Sequence, residues 1–323
     1  SAFTLILCAA AAAALTTPHT VHAQPPARPV LAPPMAVDDD VFAGERARRV
    51  LAAQILLDRS GHSPGVIDAM MGANTRRAIR AFAREHGLPT HGSVDAALVE
   101  ALMRAHPGAL LQRHRITEAE AAGPFRDVPA GMVGMSRLDR TAYESPAELL
   151  AERFHMSEGL LRALNPGADF GRAGTEILVA APGDARGGAE VARIEIDKDA
   201  SELSAYAADG TLVASYPVTV GSATYPSPSG TLAVNAVAPA PTYHFDPSGR
   251  SWGPSRELTI APGPNNPVGS VWIDLDRPGF GIHGTPEPGL IGKTSSHGCV
   301  RLTNWDAEEL AEMVSPGTEV VFT

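Results

Sequence analysis

The feature that most limits what this chain can become is a change of texture near residue 188. Upstream, apolar residues recur at helical spacing in short bursts. Downstream they fall into β-rich runs cut by Gly, Pro and Asp: Val191 to Ile196, Leu203 to Ala207, Leu212 to Val220, Thr231 to Val237, Val271 to Leu275 and Gly279 to His283, with Asp306 to Met313 as the one convincing helix. One core cannot satisfy both patterns, and 323 residues is the length of two or three domains. Abundant Gly (31) and Pro (28) supply the turns. With 19% charged residues the chain is too polar for a bundle of membrane helices, and a net charge of -10 gives no general basic field for nucleic acid or anionic lipid. We therefore expect no nucleic-acid partner and no stable membrane insertion.

Phe3 to Leu15 is almost wholly apolar, and Val21-His22-Ala23 forms a small-x-small pattern ahead of Gln24. This predicts a signal peptide over residues 1–23, truncated at its start because Ser1 stands first without a basic n-region. The apolar run is shorter than the roughly 20 residues a membrane span needs. Cys8 belongs to this signal, which leaves Cys299 as a lone thiol in an oxidising compartment, either buried and inert or kept for its reactivity. Residues 24–43 are Pro-rich and acidic without apolar periodicity, and read as a linker.

Residues 44–105 read as three short helices. Leu51, Ile55 and Leu57 mark the first, Ile79, Phe82 and Ala83 the second, and Ala97, Leu98, Ala101 and Leu102 the third. Asn74 or Thr75 can cap the second helix, Gly87 and Pro89 end it, and Ser93 can cap the third. With Gly61-His62-Ser63-Pro64-Gly65-Val66-Ile67-Asp68, Gly72-x-x-Thr75, Phe82 and Gly87-Leu88, the segment resembles the helical peptidoglycan-binding domain of wall enzymes, with Ala69 where that family usually has glycine. Residues 106–137 read as a second connection. In 138–183, Ser145-Pro146-Ala147-Glu148 has the residues of a full capping box, Ser157 starts another helix that Asn165-Pro166 stops, and Thr175 to Ala180 reads as a strand. The βααβ order, Phe154, Leu161 and the Leu164-Asn165-Pro166 stop resemble a LysM module, which implies binding of N-acetylglucosamine polymers. Gly183 to Gly188 reads as a hinge into the mostly-β region, 189–323.

The chemistry-bearing residues lie in Ser296-His297-Gly298-Cys299-Val300-Arg301-Leu302, with Ile282-His283-Gly284-Thr285 ending a strand sixteen residues before the cysteine. A thiol near its ordinary pKa is only a few percent ionised at neutral pH, and an imidazole within reach can take its proton and leave a strong nucleophile. Either His283 or His297 can be that imidazole. Gly284 and Gly298 remove side chains where a peptide must approach and let backbone amides turn toward a developing oxyanion, so the pattern fits acyl transfer. The same two histidines and Cys299 are also a possible zinc ligand set, but His297 and Cys299 at i and i+2 lack the helical His-x-x-x-His spacing, and no second cysteine completes a structural site. The chemistry as read needs no cofactor and no metal.

Gly281-Ile282-His283-Gly284-Thr285-Pro286, Ile291-Gly292 and Ser296 to Leu302, together with Tyr216-Pro217-Val218, Pro228-Ser229-Gly230-Thr231 and Pro262 to Gly269, resemble the L,D-transpeptidase (YkuD-type) catalytic domain over about 130 residues. The resemblance implies a mostly-β sandwich with a catalytic cleft, making the whole a multidomain chain of helical module, βααβ module and sandwich. It implies Cys299 as nucleophile, His283 as general base and later acid, and the Gly284 carbonyl as the group orienting that imidazole. It places His297, Arg301, Ser296 and Gly298 around the substrate, with Arg301 either a fork for a stem-peptide carboxylate or a structural ion pair. The implied partner is peptidoglycan, in a periplasmic, wall-associated location, and carbapenems are expected to acylate Cys299. The acyl acceptor stays open between diaminopimelate, an outer-membrane protein lysine and water, and a non-catalytic wall-binding protein is the alternative of another class. Pro239 to Pro264, with Tyr243 and Trp252, reads equally as a lid or as a surface insertion.

Overall fold

The computed structural model describes residues 44–89, 91–183 and 189–323; the expected signal peptide, the 24–43 linker and residues 184–188 of the expected hinge lie outside them. Three helices open the chain, α1 (Glu45–Ser60), α2 (Ala73–Glu85) and α3 (Ala96–Ala105). The middle of α1 is buried along an unbroken stretch from Val50 to Leu57, because the helix serves two cores. Ala53, Leu56 and Leu57 pack with Ile79, Phe82, Leu98 and Leu102, whereas Leu51 and Ile55 face Ile67, Phe154 and Leu161 of the next module. The caps also differ from expectation. Gly72 precedes α2 without a side-chain cap, and Asp95 rather than Ser93 caps α3 by accepting the Leu98 N–H at 2.8 Å.

The expected capping residues of α2 bond elsewhere. Thr75 Oγ1 accepts from Gln54 Nε2 (3.1 Å), and Asn74 Nδ2 donates to the Ile291 carbonyl (2.9 Å), which ties the helical module to the mostly-β domain. Ala69, at the position usually glycine in the resembled family, holds a left-handed φ of 61°, a conformation costly for an L-residue and stabilised by the bond its N–H donates to buried Gln54 Oε1 (2.8 Å).

Residues 106–137 are more than a connection. They contain β1 (Leu111–Arg115), α4 (Glu118–Ala122) and α5 (Met132–Met135), and β1 pairs antiparallel with β2 (Glu176–Ala180). The strand that pairs with β2 is therefore at 111–115, and α4 and α5 stand between it and the two helices that start at Ser145 and Ser157, an order longer than the expected βααβ. The Leu-Gln-Arg-His-Arg sequence of β1 buries only Leu111, so no apolar alternation announces it. α6 (Pro146–Arg153) and α7 (Glu158–Leu164) start at Ser145 and Ser157, whose hydroxyls accept the Glu148 and Leu160 N–H groups. The Ser145 box is half of what was expected, because Glu148 reaches back to the Glu144 N–H (2.6 Å) and uses its other oxygen for Asn265 (2.7 Å).

The mostly-β domain is built from β3 (Arg193–Asp197), β4 (Glu202–Tyr206), β5 (Leu212–Pro217), β6 (Gly230–Pro239), β9 (Val271–Leu275), β10 (Gly281–His283), β11 (Val300–Arg301) and β12 (Glu319–Phe322), with the hairpin β7 (Tyr243–Phe245) and β8 (Leu258–Ile260) set apart. The eight strands follow the order β11-β10-β9-β6-β12-β3-β4-β5. β6 bends at a bulge between Val234 and Ala236, so that its first half pairs with β12 and its second with β9, and both halves of the sheet share one core with α8 (Asn304–Met313). The curl then closes. β5 is one edge of the sheet and β11 the other, yet Thr219, two residues past β5, exchanges two 2.9 Å backbone bonds with Arg301. The remaining side of β5 is covered by the helical module, whose Gly61 and Ser63 exchange backbone bonds with Ser215, so an aggregation-prone edge is masked. Among the described residues no helix is long and apolar enough to cross a membrane.

Candidate active site

β10 and β11 run parallel, with Ile282 opposite Val300 and His283 opposite Arg301. Ile282 and Val300 are 0% and 1% exposed within the core, so the strand period of two turns Gly281, His283, Cys299 and Arg301 to the other face. That arrangement brings together three expected site residues, His283, Cys299 and Arg301. Trp272 on β9 faces the same way, stacking on the His283 ring at 5.4 Å and lying where a Cβ on Gly281 would have to be.

His283 Nδ1 donates to the Gly284 carbonyl at 2.7 Å, which leaves Nε2 free of a proton and able to accept one. Burial lowers the imidazole pKa to about 4, the Gly284 and Val268 carbonyls raise it in part, and the Arg301 charge lowers it further, so the ring is neutral at ordinary pH. Burial raises the Cys299 thiol, while a backbone hydrogen bond from Gly281 and the charges of Arg301 and Arg250 pull it back. The resting pair is thus a neutral thiol and a neutral base on one face. The thiol bonds to the Gly279 carbonyl (3.7 Å) rather than to His283, which sits diagonally across the strand pair.

The other expected residues divide into turn-builders and cleft-liners. Ser296 is buried and closes the turn before the cysteine, donating to the Cys299 carbonyl (2.5 Å) and accepting the Gly298 N–H (3.1 Å). Gly298 holds φ +117°, and a Cβ there would strike Phe280, so no other residue fits without strain. His297 is not beside His283. It stacks on Trp252 (3.9 Å, 23°) and tilts against Tyr225 (5.0 Å). Arg301 Nε is buried with no hydrogen-bond partner among the described residues.

Several site residues went unread in the sequence. The β7–β8 hairpin carries Arg250 in its connection, over the Phe245 ring (5.6 Å) and the Trp252 ring (5.4 Å), and Trp252 in turn covers His297. Pro239 to Pro264 therefore touches the cysteine loop through Trp252. Arg250 had no motif to mark it. Asn304 had one signal, its place just after the Cys299 motif at the first turn of α8: its Oδ1 accepts the Ser270 N–H (3.2 Å) and fills the space that side chains on Gly269 and Gly284 would need. Among the described residues no three His, Cys, Asp or Glu side chains converge as metal ligands.

Two family profiles match the chain, one described as the L,D-transpeptidase catalytic domain over residues 191–322 and one as "Putative peptidoglycan binding domain" over 46–102. Among curated relatives, "Putative L,D-transpeptidase YkuD" of Bacillus licheniformis is 31% identical over 178 residues, which is 54% of this chain and 92% of the relative. "Probable L,D-transpeptidase ErfK/SrfK" of Escherichia coli is 30% identical over 54% of this chain and 58% of its own length. Among solved structures, the catalytic domain of the E. faecium L,D-transpeptidase aligns at 24% identity over 42% of this chain and 100% of its own, with a TM-score of 0.33.

Proposed function

The chain belongs to the L,D-transpeptidase family, and we propose that it cross-links peptidoglycan by acyl transfer through Cys299. The thiol attacks the carbonyl at the L-centre of the third stem residue, meso-diaminopimelate, while its proton passes to His283 Nε2. The tetrahedral oxyanion collapses, His283 returns the proton to the departing amine, and D-Ala leaves a thioester behind. The side-chain amine of a diaminopimelate on a second stem then attacks, giving up its proton to His283, and the thiol is restored. Arg301, with the charge of Arg250 also acting on Cys299, holds a stem-peptide carboxylate by charge-assisted hydrogen bonds. One observation carries the reading: a buried, neutral imidazole whose Nδ1 is engaged by Gly284 shares a sheet face with the only cysteine of the described residues.

The rest of the proposal concerns place and polymer. The expected signal peptide exports the enzyme to the periplasm, the helical module engages the wall, and the middle module binds N-acetylglucosamine polymers as its likeness to LysM implies. Holding enzyme and polymer together raises the local concentration of stems. The test is mass spectrometry of disaccharide-tetrapeptides incubated with the chain from Gln24 onward, beside Cys299→Ala. Dimers lacking one D-Ala, absent with the mutant, are expected. Tripeptides alone would mean water is the acceptor, and unchanged substrate with both proteins would count against catalysis on these stems.

A further inference from the structure

The residues that follow the nucleophile in sequence are gripped by the accessory modules. Asn304 Nδ2 donates to Glu152 Oε2 of α6 at 3.0 Å, Trp305 stacks on His155 at 5.2 Å and 9°, and Asp306 accepts from Ser63 Oγ at 3.0 Å. A second strip is held as well. Thr141 N–H donates to the Pro262 carbonyl, Thr141 Oγ1 to the Ala261 carbonyl, and Asn265 Nδ2 to both the Ala142 carbonyl and Glu148. A module serving only as a tether would need none of these bonds.

Asn304 is where the two strips meet. Its Nδ2 bonds Glu152 and the Pro264 carbonyl (3.2 Å), and its Oδ1 bonds Ser270 N–H and packs against Gly269 and Gly284. Those contacts gather the 268–270 loop and the 284 turn. They are also the segments whose carbonyls, Val268 and Gly284, act on His283. Glu152 and Asn304 are 7% and 3% exposed, so water does not replace a lost bond easily.

We propose that Glu152 is a positioning residue for the acyl transfer: through Asn304 it fixes the two loops that aim His283, so the middle module completes the active site of the domain that follows it. The inference rests on the functional reading above for its reaction but not for its geometry. A rotation of the imidazole by a fraction of an ångström at the thiol lowers the rate without weakening substrate binding.

The test compares Glu152→Gln, Glu152→Leu and Glu152→Asp in the full chain, reading kcat and KM for the tetrapeptide, the pH profile of Cys299 alkylation by iodoacetamide, and folding by circular dichroism. Gln keeps an oxygen to accept from Asn304 and is expected within about threefold of wild type in both assays. Leu removes the acceptor and Asp withdraws it by one methylene; both are expected to lose about 10- to 100-fold in kcat with KM little changed, and their alkylation profiles are expected to move toward that of His283→Ala. Wild-type kcat and profile in Leu and Asp would overturn the proposal, as would a Gln variant as impaired as Leu. A loss that merely tracks the unfolded fraction would also overturn it. If Leu does not fold, the Gln and Asp pair decides. The alkylation arm needs no peptidoglycan, so failure of the wild type to cross-link is distinguishable from failure of the positioning role.

Discussion

The short stretch from Cys299 to Asp306 faces two environments that handle charge in opposite ways. On the cleft side, Arg301 has a buried Nε without a hydrogen-bond partner among the described residues, and Arg250 lies over aromatic rings, so both positive charges stand without a paired carboxylate among the described residues. On the side that meets the accessory modules, Glu152 and Asp306 are buried, and desolvation raises each carboxyl to about 8. They are bonded chiefly to neutral donors, Asn304 and Tyr143 for Glu152, Ser63 and Thr303 for Asp306, and they hold protons at neutral pH. The contrast separates two tasks. Among the described residues neither cleft arginine is paired with a carboxylate, whereas on the docking face the carboxyls of Glu152 and Asp306 are neutral and His155 is matched by Asp58, because an unpaired buried ion would cost more than its bonds return.

The sharpest way to break the comparison is at the base. His283→Ala is expected to lower kcat about 10²- to 10⁴-fold per folded molecule, read by tetrapeptide turnover corrected for the folded fraction. A small loss would mean that charge in the cleft, and not proton transfer, supplies the catalysis. Arg301→Met comes next. Replacing the guanidinium by an apolar chain should raise KM for the free-carboxylate donor about 10- to 100-fold, the worth of a charge-assisted bond of roughly 1.5–3 kcal/mol. A donor with amidated carboxyls should barely distinguish variant from wild type. Equal losses on both donors would make Arg301 a structural residue and erase the cleft side of the contrast.

How much of this was legible beforehand depended on the range of the interaction. Cys299, Gly298 and Ser296 belong to one local turn, and their spacing carried its own chemistry. The six β-rich runs and the helix at 306 matched observed elements because alternation survives wherever one face is buried. Leu111–Arg115 escaped because its strand buries one residue. Glu152 was read only as part of a helix, since its partner is 152 residues away. Arg250 owes its position to aromatic stacking between distant loops, which no spacing encodes. His297 could be placed near the cysteine from sequence, but not turned toward Trp252 and away from His283.

The smallest expected effect tests the docking side through pH. Asp306 is met by Ser63 from the α1–α2 loop, by Thr303 on its own turn, and by His155 and Asp58 across the interface. Its folded pKa of about 8 lies above the ordinary carboxylate value, so between roughly pH 4 and 8 the folded state holds a proton that the unfolded state releases. Stability contributed by this group is therefore complete below about pH 4 and is lost as pH rises to 8. Asp306→Asn keeps an oxygen for Ser63 and cannot titrate. Its Tm should lie close to wild type near pH 4, exceed it by a margin that widens steadily up to about pH 8, and hold a constant margin above that. Glu152 titrates in the same direction, but it does so in both proteins and cancels from the difference. A margin independent of pH would mean Asp306 is ionised at neutral pH and balanced by His155, whose pKa its neighbour Asp58 helps to raise. The docking face would then be an ion-pair network, and the opposition between a cleft that displays charge and an interface that removes it would fail at its second half.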